Sequence, residues 1–198
     1  MTKRVVLATS NSGKLAEIGQ ILHDWEVLPQ SEFGISTPEE TGLTFVENAI
    51  IKARHACLHS GLPAIADDSG LEVDVLNGQP GIYSARYGGE GATDQENIEK
   101  LLANMDQETH RGARFDCIIV FMQHQHDPSP IICSGSWEGQ IAWIPQGENG
   151  FGYDPVFFVS ELGKTAAQLN SDEKNLLSHR GKALMQLRQQ LQTVTSTH

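Results

Sequence analysis

The chain has 198 residues, of which 39% are hydrophobic and 20% charged, and its 14 basic and 25 acidic residues give a net charge of −11. This composition is typical of a globular protein and excludes a disordered chain, and no apolar run approaches the roughly 18 residues of a membrane span. A strongly acidic protein repels a nucleic-acid backbone, so we expect no duplex binding, and an anionic ligand would need locally focused cations.

The cysteine pattern indicates a reducing environment. The three cysteines are too scattered for a disulfide framework or for metal-ligand spacing, and residues 1–4 lack the apolar stretch of a signal peptide. We therefore expect a cytoplasmic protein in which Cys57, Cys117 and Cys133 act as small buried hydrophobes.

The first predicted elements are a strand, a polar loop and a helix. Residues 4–9 form an apolar, β-branched run that is typical of a buried strand. Capping residues at 11–13 precede a helix whose apolar side chains recur at helical spacing over 15–22. In open α/β sheets, ligands bind at the carboxyl ends of strands, which is where this loop would lie.

This loop is a candidate phosphate site. Hydroxyls, an amide, backbone N–H groups and one lysine at a helix N-terminus suit an anion, although an ordinary helix cap with a solvated lysine is the alternative. It is not a Walker A loop, because Ala8 and Leu15 stand where that pattern needs glycine and a hydroxyl residue. The predicted phosphate contacts are Thr9, Ser10, Asn11, Ser12, Gly13 and Lys14.

The first of two acidic clusters precedes a helix. Glu39 and Glu40 come before a capping box at 44–47, which predicts a helix through about Leu58 that carries Lys52. Adjacent glutamates can supply oxygen ligands to a metal. The alternative is a solvated acidic loop that stabilises a helix N-terminus.

The second acidic cluster is the pair Asp67-Asp68. An apolar run over 63–66 predicts a short strand that ends at this pair, and alternation over 71–75 predicts a further strand. Carboxylates at the end of a strand suit Mg²⁺, or can accept a proton from an attacking water. A turn-starting or capping aspartate is the alternative. The spacing differs from that of the aspartate nucleophile in dehalogenase-type phosphatases.

The remaining elements complete an α/β pattern. A capping box at 93–96 predicts a helix. Three strands are expected, over 114–122, 131–137 and 140–144. A last helix is expected to begin near Ser171 and to end in a polar tail from about 193. No linker separates two domains, so we expect one domain over 1–198 with a mixed sheet.

Two late segments could recognise a base. Glycines flank Phe151 and allow close approach, its ring offers a stacking face, and Asp154 could accept hydrogen bonds from a ring edge. Lys174, His179 and Arg180 add donors in the last helix. A structural turn with a core aromatic, and ordinary contacts between helices, are the respective alternatives. Cations for phosphate, carboxylates for a metal and an aromatic for a base together favour a nucleotide.

In these residues the chain resembles a known family, the inosine triphosphate pyrophosphatases or Ham1-like proteins, and especially its bacterial members. The resemblance extends over nearly the whole chain. Ser10 departs from the pattern, because the family commonly has glycine or another residue there. The blocks that carry the resemblance lie at 7–14, 39–45, 47–49, 66–71, 80–87, 150–155 and 178–181.

The resemblance implies a fold and an activity. The expected fold is α/β, with a mixed twisted sheet flanked by helices and two lobes around a central nucleotide-binding cleft, usually as a homodimer. The expected reaction is Mg²⁺-dependent hydrolysis of dITP, ITP or XTP between the α and β phosphates. It releases a nucleoside monophosphate and pyrophosphate.

The resemblance also implies roles for residues. Asp68 would be the catalytic base and a metal ligand, with Glu39 or Glu40 as the second ligand and Glu39 favoured. Lys14 and Lys52 would stabilise charge on the phosphates. The residues expected to contact the rest of the substrate are Ser69, Phe151, Gly152, Tyr153, Asp154, Lys174, His179 and Arg180, of which Phe151 would stack on the base and the last three would read the purine 6-oxo group.

Three other functions are alternatives to this one. A pyrophosphatase for other modified nucleotides, of the Maf-like kind, is disfavoured by the His179-Arg180 block. A non-catalytic nucleotide-binding protein would not need two acidic clusters. A phosphomonoesterase would release inorganic phosphate and not pyrophosphate.

Overall fold

In a computed structural model that describes residues 3–195, this part of the chain forms seven β-strands and five α-helices. In chain order they are β1 Lys3–Leu7, α1 Ser12–Ile21, β2 Trp25–Pro29, α2 Phe45–Ser60, β3 Ala64–Val73, α3 Asp94–Asn104, β4 Gly112–Met122, β5 Ile131–Ile141, β6 Phe157–Val159, β7 Lys164–Thr165, α4 Ser171–Leu177 and α5 His179–Thr195.

The strands form one mixed sheet. Their order is β2-β1-β3-β4-β5-β6-β7. β1 runs parallel to both β2 and β3, whereas β5, β6 and β7 are successively antiparallel. The predicted α/β class with a mixed sheet is therefore confirmed.

The described chain divides into two compact units, each built from separate stretches of sequence. The first comprises residues 3–68, 117–135 and 180–195, and the second comprises Ser69–Asp116 and Ser136–His179. The polar tail predicted from about 193 falls partly outside the described residues, and α5 itself continues to Thr195.

In the first unit the sheet is covered on both faces, because side chains alternate along β1. Val5 and Leu7 pack with α1 and α5, while Val6 and Ala8 pack with α2. Helix α2 presents alanines to the sheet, and each buried group of the size of a CH₂ contributes about 0.8 kcal/mol. This packing fixes which helix each face of β3 meets.

Helix α2 begins where the sequence predicts it. The Thr44 hydroxyl accepts the Glu47 N–H at 3.3 Å, and the Glu47 carboxylate accepts the Leu43 N–H at 2.9 Å. The helix ends at Ser60 and is followed by the C-cap Gly61, which adopts a left-handed conformation with φ of 68°. It is therefore slightly longer than the prediction, which ended at about Leu58.

The second unit has its own core. The capping box of Thr93 and Glu96 starts α3 as predicted. The apolar face of α3 then packs against aromatic side chains from three strands. These residues are Ile98, Leu101, Met105, Phe115, Trp137 and Phe157.

Two strand predictions were wrong. The sequence predicted a strand that ends at the Asp67-Asp68 pair and a further strand after it, whereas β3 runs unbroken through the pair. It also predicted a turn at 138–139, whereas β5 continues through it. A Cβ at Gly139 would lie 2.6 Å from the Phe157 ring, so this glycine permits close packing and does not mark a turn.

Other elements also differ from the predictions. Strands β2, β6 and β7 were not predicted, and the single last helix proves to be α4 and α5. The helical path breaks at Ser178, whose ψ of 159° is extended. Leu176, which the sequence placed on the apolar face of that helix, is 66% exposed. None of the helices within residues 3–195 is long and apolar enough to cross a membrane.

Candidate active site

Asp67 and Asp68 point to opposite faces of the sheet. Both lie within β3, shortly after Ile65. The Ile65 carbonyl accepts a hydrogen bond from the Ala8 N–H, which follows β1. Since side chains alternate along a strand, Asp67 faces α1 and α5, whereas Asp68 faces α2. The two carboxylates are therefore not a paired acid site, and each has its own partners.

Asp67 is the centre of a buried ionic network in the first unit. Its carboxylate accepts hydrogen bonds from the Lys14 ammonium, from Arg180 Nε at 2.9 Å and from the Cys117 thiol at 3.0 Å. Burial alone would raise the pKa of Asp67, but the charges of Arg180 and Lys14 outweigh it and hold that pKa well below its ordinary value. Asp67 is thus ionised at neutral pH and holds Lys14.

Arg180 is held from a second side by Glu17. Its Nη1 lies 2.5 Å from a Glu17 carboxylate oxygen, and only 2% of the residue is exposed. Burial would lower the pKa of Arg180, but Asp67 and Glu17 raise it overall, so the guanidinium stays charged. The network joins β3, β4, α1 and α5.

Asp68 forms a separate cluster with Lys52 and Glu40. Lys52 Nζ lies 2.5 Å from Asp68 Oδ1 and 3.0 Å from Glu40 Oε1. Burial raises the pKa of Asp68 above its ordinary value, and the nearby charge of Lys52 only partly offsets this. Burial would lower the pKa of Lys52, but Asp68 and Glu40 raise it overall. The cluster therefore combines a cation with a carboxylate of enhanced basicity.

The loop that carries Glu40 is fastened to α2. The buried Asn48 side chain accepts the Gly42 N–H at 2.9 Å. A Cβ at Gly42 would lie 2.6 Å from Asn48 Oδ1 and from Glu47 Cβ, so only glycine fits without a shift. Glu39 is exposed on this loop. The geometry therefore favours Glu40 over Glu39 as the partner of Asp68.

The loop after β1 caps α1. Asn11 Oδ1 accepts the Lys14 N–H at 3.0 Å, and Thr9 Oγ1 accepts the Asn11 N–H at 3.1 Å. The helix-cap interpretation is thus correct for Asn11. It is compatible with phosphate binding, because the capped N-terminus still carries the positive end of the helix dipole. Ser10 and Ser12 are exposed, and Gly13 is half-buried.

The donor set of Asp68 and Glu40 fits a hard cation. Among the described residues no group of three or more His, Cys, Asp and Glu side chains is arranged to hold a metal ion. Mg²⁺, however, is usually bound by one or two carboxylates together with waters and substrate phosphates. Two carboxylates that share one ammonium meet that requirement.

The second unit carries the aromatic loop, residues 150–155. Asp154 Oδ2 accepts the Phe151 N–H at 2.9 Å and lies 2.5 Å from Lys174 Nζ, which stands 4.6 Å from the Phe151 ring centroid. A Cβ at Gly150 would lie 2.0 Å from Asp154 Oδ2, and the φ of Gly150 is +76°. The loop therefore holds an aromatic ring, a carboxylate and an ammonium close together.

Three other residues that were predicted to contact substrate are at least partly buried. Tyr153 is 4% exposed, and its hydroxyl donates to the Ser84 carbonyl at 2.8 Å. Burial raises the pKa of Tyr153, so this side chain anchors the loop. The His179 ring stacks on Phe115, with centroids 4.8 Å apart and an interplanar angle of 12°. Ser69 is half-buried on β3.

Sequence reasoning missed four residues that support these groups. The sequence predicts Cys117 only as a buried hydrophobe and indicates no functional role for Glu17, Phe115 or Asp94. Glu17 follows Lys14 by one helical turn, and Phe115 lies two residues before Cys117 on a predicted strand, so the members of each pair share a face. The residues that these side chains contact are distant in sequence, and no local spacing predicts those contacts.

The chain matches known proteins along most of its length. The Ham1 family matches residues 5–190. A protein of Vibrio parahaemolyticus named dITP/XTP pyrophosphatase is 60% identical over 198 residues, covering 98% of this chain and 99% of its own. One of Escherichia coli O157:H7 with the same name is 56% identical and covers 92% and 94%.

Solved structures of Ham1 proteins are also similar to this chain. The structure of a HAM1 protein from Coxiella burnetii is 52% identical, covers 97% of this chain and 100% of its own, and superposes with a TM-score of 0.90. That of the Staphylococcus aureus Ham1 protein is 45% identical, covers 96% and 99%, and gives 0.86. Full-length matches in both sequence and fold lead to one conclusion: this chain belongs to the Ham1 family.

Proposed function

We propose that this protein hydrolyses non-standard purine nucleoside triphosphates, namely dITP, ITP and XTP, to the nucleoside monophosphate and pyrophosphate. The names of relatives at 56% to 60% identity support the substrate class. The arrangement of Lys52 between Asp68 and Glu40 supports the chemistry, and it is the observation that carries the proposal.

Asp68 is the proposed general base. A base needs a pKa high enough to accept a proton yet low enough to be ionised at neutral pH, and burial raises the pKa of Asp68 in that direction. Asp68 orients a water, accepts its proton and so promotes attack on the α-phosphorus. The bond to the leaving pyrophosphate then breaks.

The cations of the same unit stabilise the negative charge that develops on the phosphates. Lys52 is the proposed donor nearest Asp68, and Lys14 is held by Asp67 beside the N-terminus of α1, where Thr9 to Gly13 would contact phosphate. Mg²⁺ bound by Asp68 and Glu40 would polarise phosphate oxygens and neutralise part of their charge.

The aromatic loop is proposed to bind the base. Phe151 offers a stacking face, and Asp154 offers an acceptor for the ring edge. Lys174 and His179 supply donors for a 6-oxo group. Adenine carries an amino group at that position, which would leave buried donors unpaired at a cost of about 1–3 kcal/mol each. The assignment of Arg180 to the base rests on the resemblance, since its described contacts are with Asp67 and Glu17.

A product assay tests this proposal. Wild-type protein is given dITP, XTP, dGTP, dATP and dUTP in parallel, with and without Mg²⁺, and pyrophosphate is separated from inorganic phosphate. We expect pyrophosphate and monophosphate from dITP and XTP, little turnover of the other three, and loss of activity without Mg²⁺. Preference for dUTP would favour the Maf-like alternative, and saturable binding without product would favour a nucleotide-binding protein.

Asp68→Asn is the matched variant for the catalytic step. The amide keeps the shape of the side chain but cannot accept the proton, so we expect turnover of dITP to fall by about 10²- to 10⁴-fold, with circular dichroism unchanged. Near-normal turnover would contradict the assignment of the base.

The proposal also includes a homodimer and a cytoplasmic location. Light scattering of the purified protein measures the number of subunits.

A further inference from the structure

Asp94 makes a contact that its own helix does not require. It occupies the first turn of α3, and its Oδ2 accepts the Gly152 N–H at 2.7 Å, from a residue 58 positions away. The N-terminus of α3 is already capped, because the Thr93 hydroxyl accepts the Glu96 N–H and the Glu96 carboxylate accepts the Thr93 N–H. The Asp94 carboxylate is therefore available to hold another segment.

That segment is the aromatic loop. Gly152 lies between Phe151 and Asp154, and its φ of +60° is the left-handed conformation that favours glycine. The far side of the loop has other attachments, since the Asp154 carbonyl accepts the Ala167 N–H at 3.1 Å and Tyr153 reaches Ser84. On the near side, the Asp94 contact joins the backbone next to Phe151 to a helix of the unit core.

The environment of Asp94 suits a persistent contact. A carboxylate in the first turn of a helix is stabilised by the helix dipole, and a hydrogen bond from a backbone N–H to a carboxylate is stronger than one between neutral groups. The bond thus restrains the plane of the peptide that carries Phe151. A displaced Phe151 would lose its place beside Lys174, 4.6 Å from the ring centroid.

We propose that Asp94 is a positioning residue for the nucleotide base, which acts by holding the aromatic loop through Gly152. The inference rests on the proposed function, because it takes Phe151 as the stacking surface. It concerns affinity for the base and not the chemical step on the phosphates. Loss of the tether should therefore raise KM for dITP and leave kcat nearly constant.

Three variants separate this role from general stability. Asp94→Ala removes the acceptor, Asp94→Asn keeps an acceptor oxygen without the charge, and Gln95→Ala changes the next residue, whose side chain bonds Glu99 within α3. For Asp94→Ala we expect KM for dITP to rise roughly three- to tenfold, because the lost hydrogen bond is exposed to solvent and its net contribution is therefore modest, with kcat changed by less than about twofold. Asp94→Asn should lie closer to wild type, and Gln95→Ala should match it.

Two inhibitors show which part of the substrate is affected. Inhibition by IMP involves the base, whereas inhibition by inorganic pyrophosphate does not. In Asp94→Ala the inhibition constant for IMP should rise with KM, while that for pyrophosphate stays constant. Equal changes in both constants, or a fall in kcat alone, would overturn the proposal.

A third readout is independent of turnover. In wild type the Gly152 amide should be protected from hydrogen exchange, and Asp94→Ala should lose that protection while Gln95→Ala keeps it. Unchanged protection would refute the tether itself. Absence of dITP hydrolysis by the wild type would instead refute the proposed function, so the two failures are distinguishable.

Discussion

Adjacent aspartates on β3 experience opposite electrostatic environments. Burial would raise the pKa of both, yet Arg180 and Lys14 reverse the effect at Asp67, while at Asp68 the charge of Lys52 reverses it only in part. Asp67 therefore contributes to folding as an anion, and Asp68 is the group suited to accept a proton.

Replacing Asp67 should destabilise the protein strongly. Asp67→Asn removes the carboxylate that Lys14 contacts and leaves Arg180 paired with Glu17, and breaking a buried ion pair in this way costs about 3–5 kcal/mol. Urea unfolding followed by circular dichroism measures the loss. As a control, Asp24→Asn removes a surface pair with Arg188 and should cost less than about 1 kcal/mol.

The same pair of proteins gives a test with pH. The folded pKa of Asp67 is depressed, so its stabilisation is complete above the unfolded value of about 3.9 and is lost as the pH falls through the folded pKa. The difference in unfolding free energy between wild type and Asp67→Asn should therefore shrink only below about pH 4. A difference that is constant down to strongly acidic pH would contradict the ionic explanation.

Lys52 should control the pH dependence of turnover. Its positive charge lowers the pKa of Asp68, so Lys52→Met should raise that pKa further and move the acid limb of kcat/KM to higher pH, in addition to reducing activity. The pH profile of dITP hydrolysis measures the shift. Lys100→Met, at an exposed position on α3, should leave the limb in place. An unshifted limb in Lys52→Met would refute the coupling.

Whole elements determine where these side chains lie. The loop before α2 brings Glu40 to Lys52 because Gly42 can approach Asn48 closely. In the same way, the alanine face of α2 brings that helix close enough to the sheet for Lys52 to reach Asp68. Both contacts depend on small residues, because Gly42 and the alanines of α2 allow close approach of the backbone.

Adding one methyl group at Gly42 should weaken metal use. In Gly42→Ala the new Cβ would meet Asn48 Oδ1 and Glu47 Cβ at 2.6 Å, which forces the Glu40 loop outward. We expect a higher Mg²⁺ concentration for half-maximal dITP hydrolysis, with activity partly restored at saturation. Gly19→Ala is the control, because a Cβ there meets nothing within 4 Å. Identical Mg²⁺ dependence in both variants would show that the loop does not position Glu40.

Local signals predicted the elements well where chemistry acts over a few residues. The capping residues Thr44 and Thr93 predicted the starts of α2 and α3, since a cap and its partner are three residues apart. Gly139 misled the prediction, because a glycine needed for packing against Phe157 resembles one needed for a turn. The break at Ser178 was also missed, since apolar spacing continues across it.

The candidate site was predictable in part for the same reason. Residue types and spacing identified Lys14, Lys52, Asp68 and the aromatic loop as candidates, and the family resemblance assigned their roles. The division of the two aspartates between opposite faces was not predicted, because β3 was expected to end at them. Nor was the pairing of Glu17 with Arg180, which lie 163 residues apart and share no sequence pattern.

The charge of the whole molecule is a property that the sequence alone determines. A net charge of −11 repels polyanions at long range, whereas Lys14, Lys52 and Arg180 are each paired with carboxylates. A small anion must therefore bind through local contacts, and an extended one meets mostly repulsion.

Duplex DNA should accordingly fail to bind. Fluorescence anisotropy of a short labelled duplex should stay constant as protein is added, even at low salt, where electrostatic binding is strongest. A labelled dITP analogue in the presence of Ca²⁺ serves as the positive control for binding. Salt-sensitive binding of the duplex would reveal a basic surface that the overall charge conceals.

The alternation of side chains along β3 also has a consequence for inheritance. A cell that carries a substitution at Asp67 should accumulate less of the protein, because a loss of even 1–2 kcal/mol changes steady-state abundance about several-fold. A cell that carries Asp68→Asn, in which the amide keeps the shape of the buried side chain, should keep near-normal amounts of a protein that hydrolyses dITP poorly. Mutations in neighbouring codons would then cause different defects, low abundance of the protein in one case and loss of its activity in the other. Only low abundance could be relieved by a stabilising mutation elsewhere in the gene.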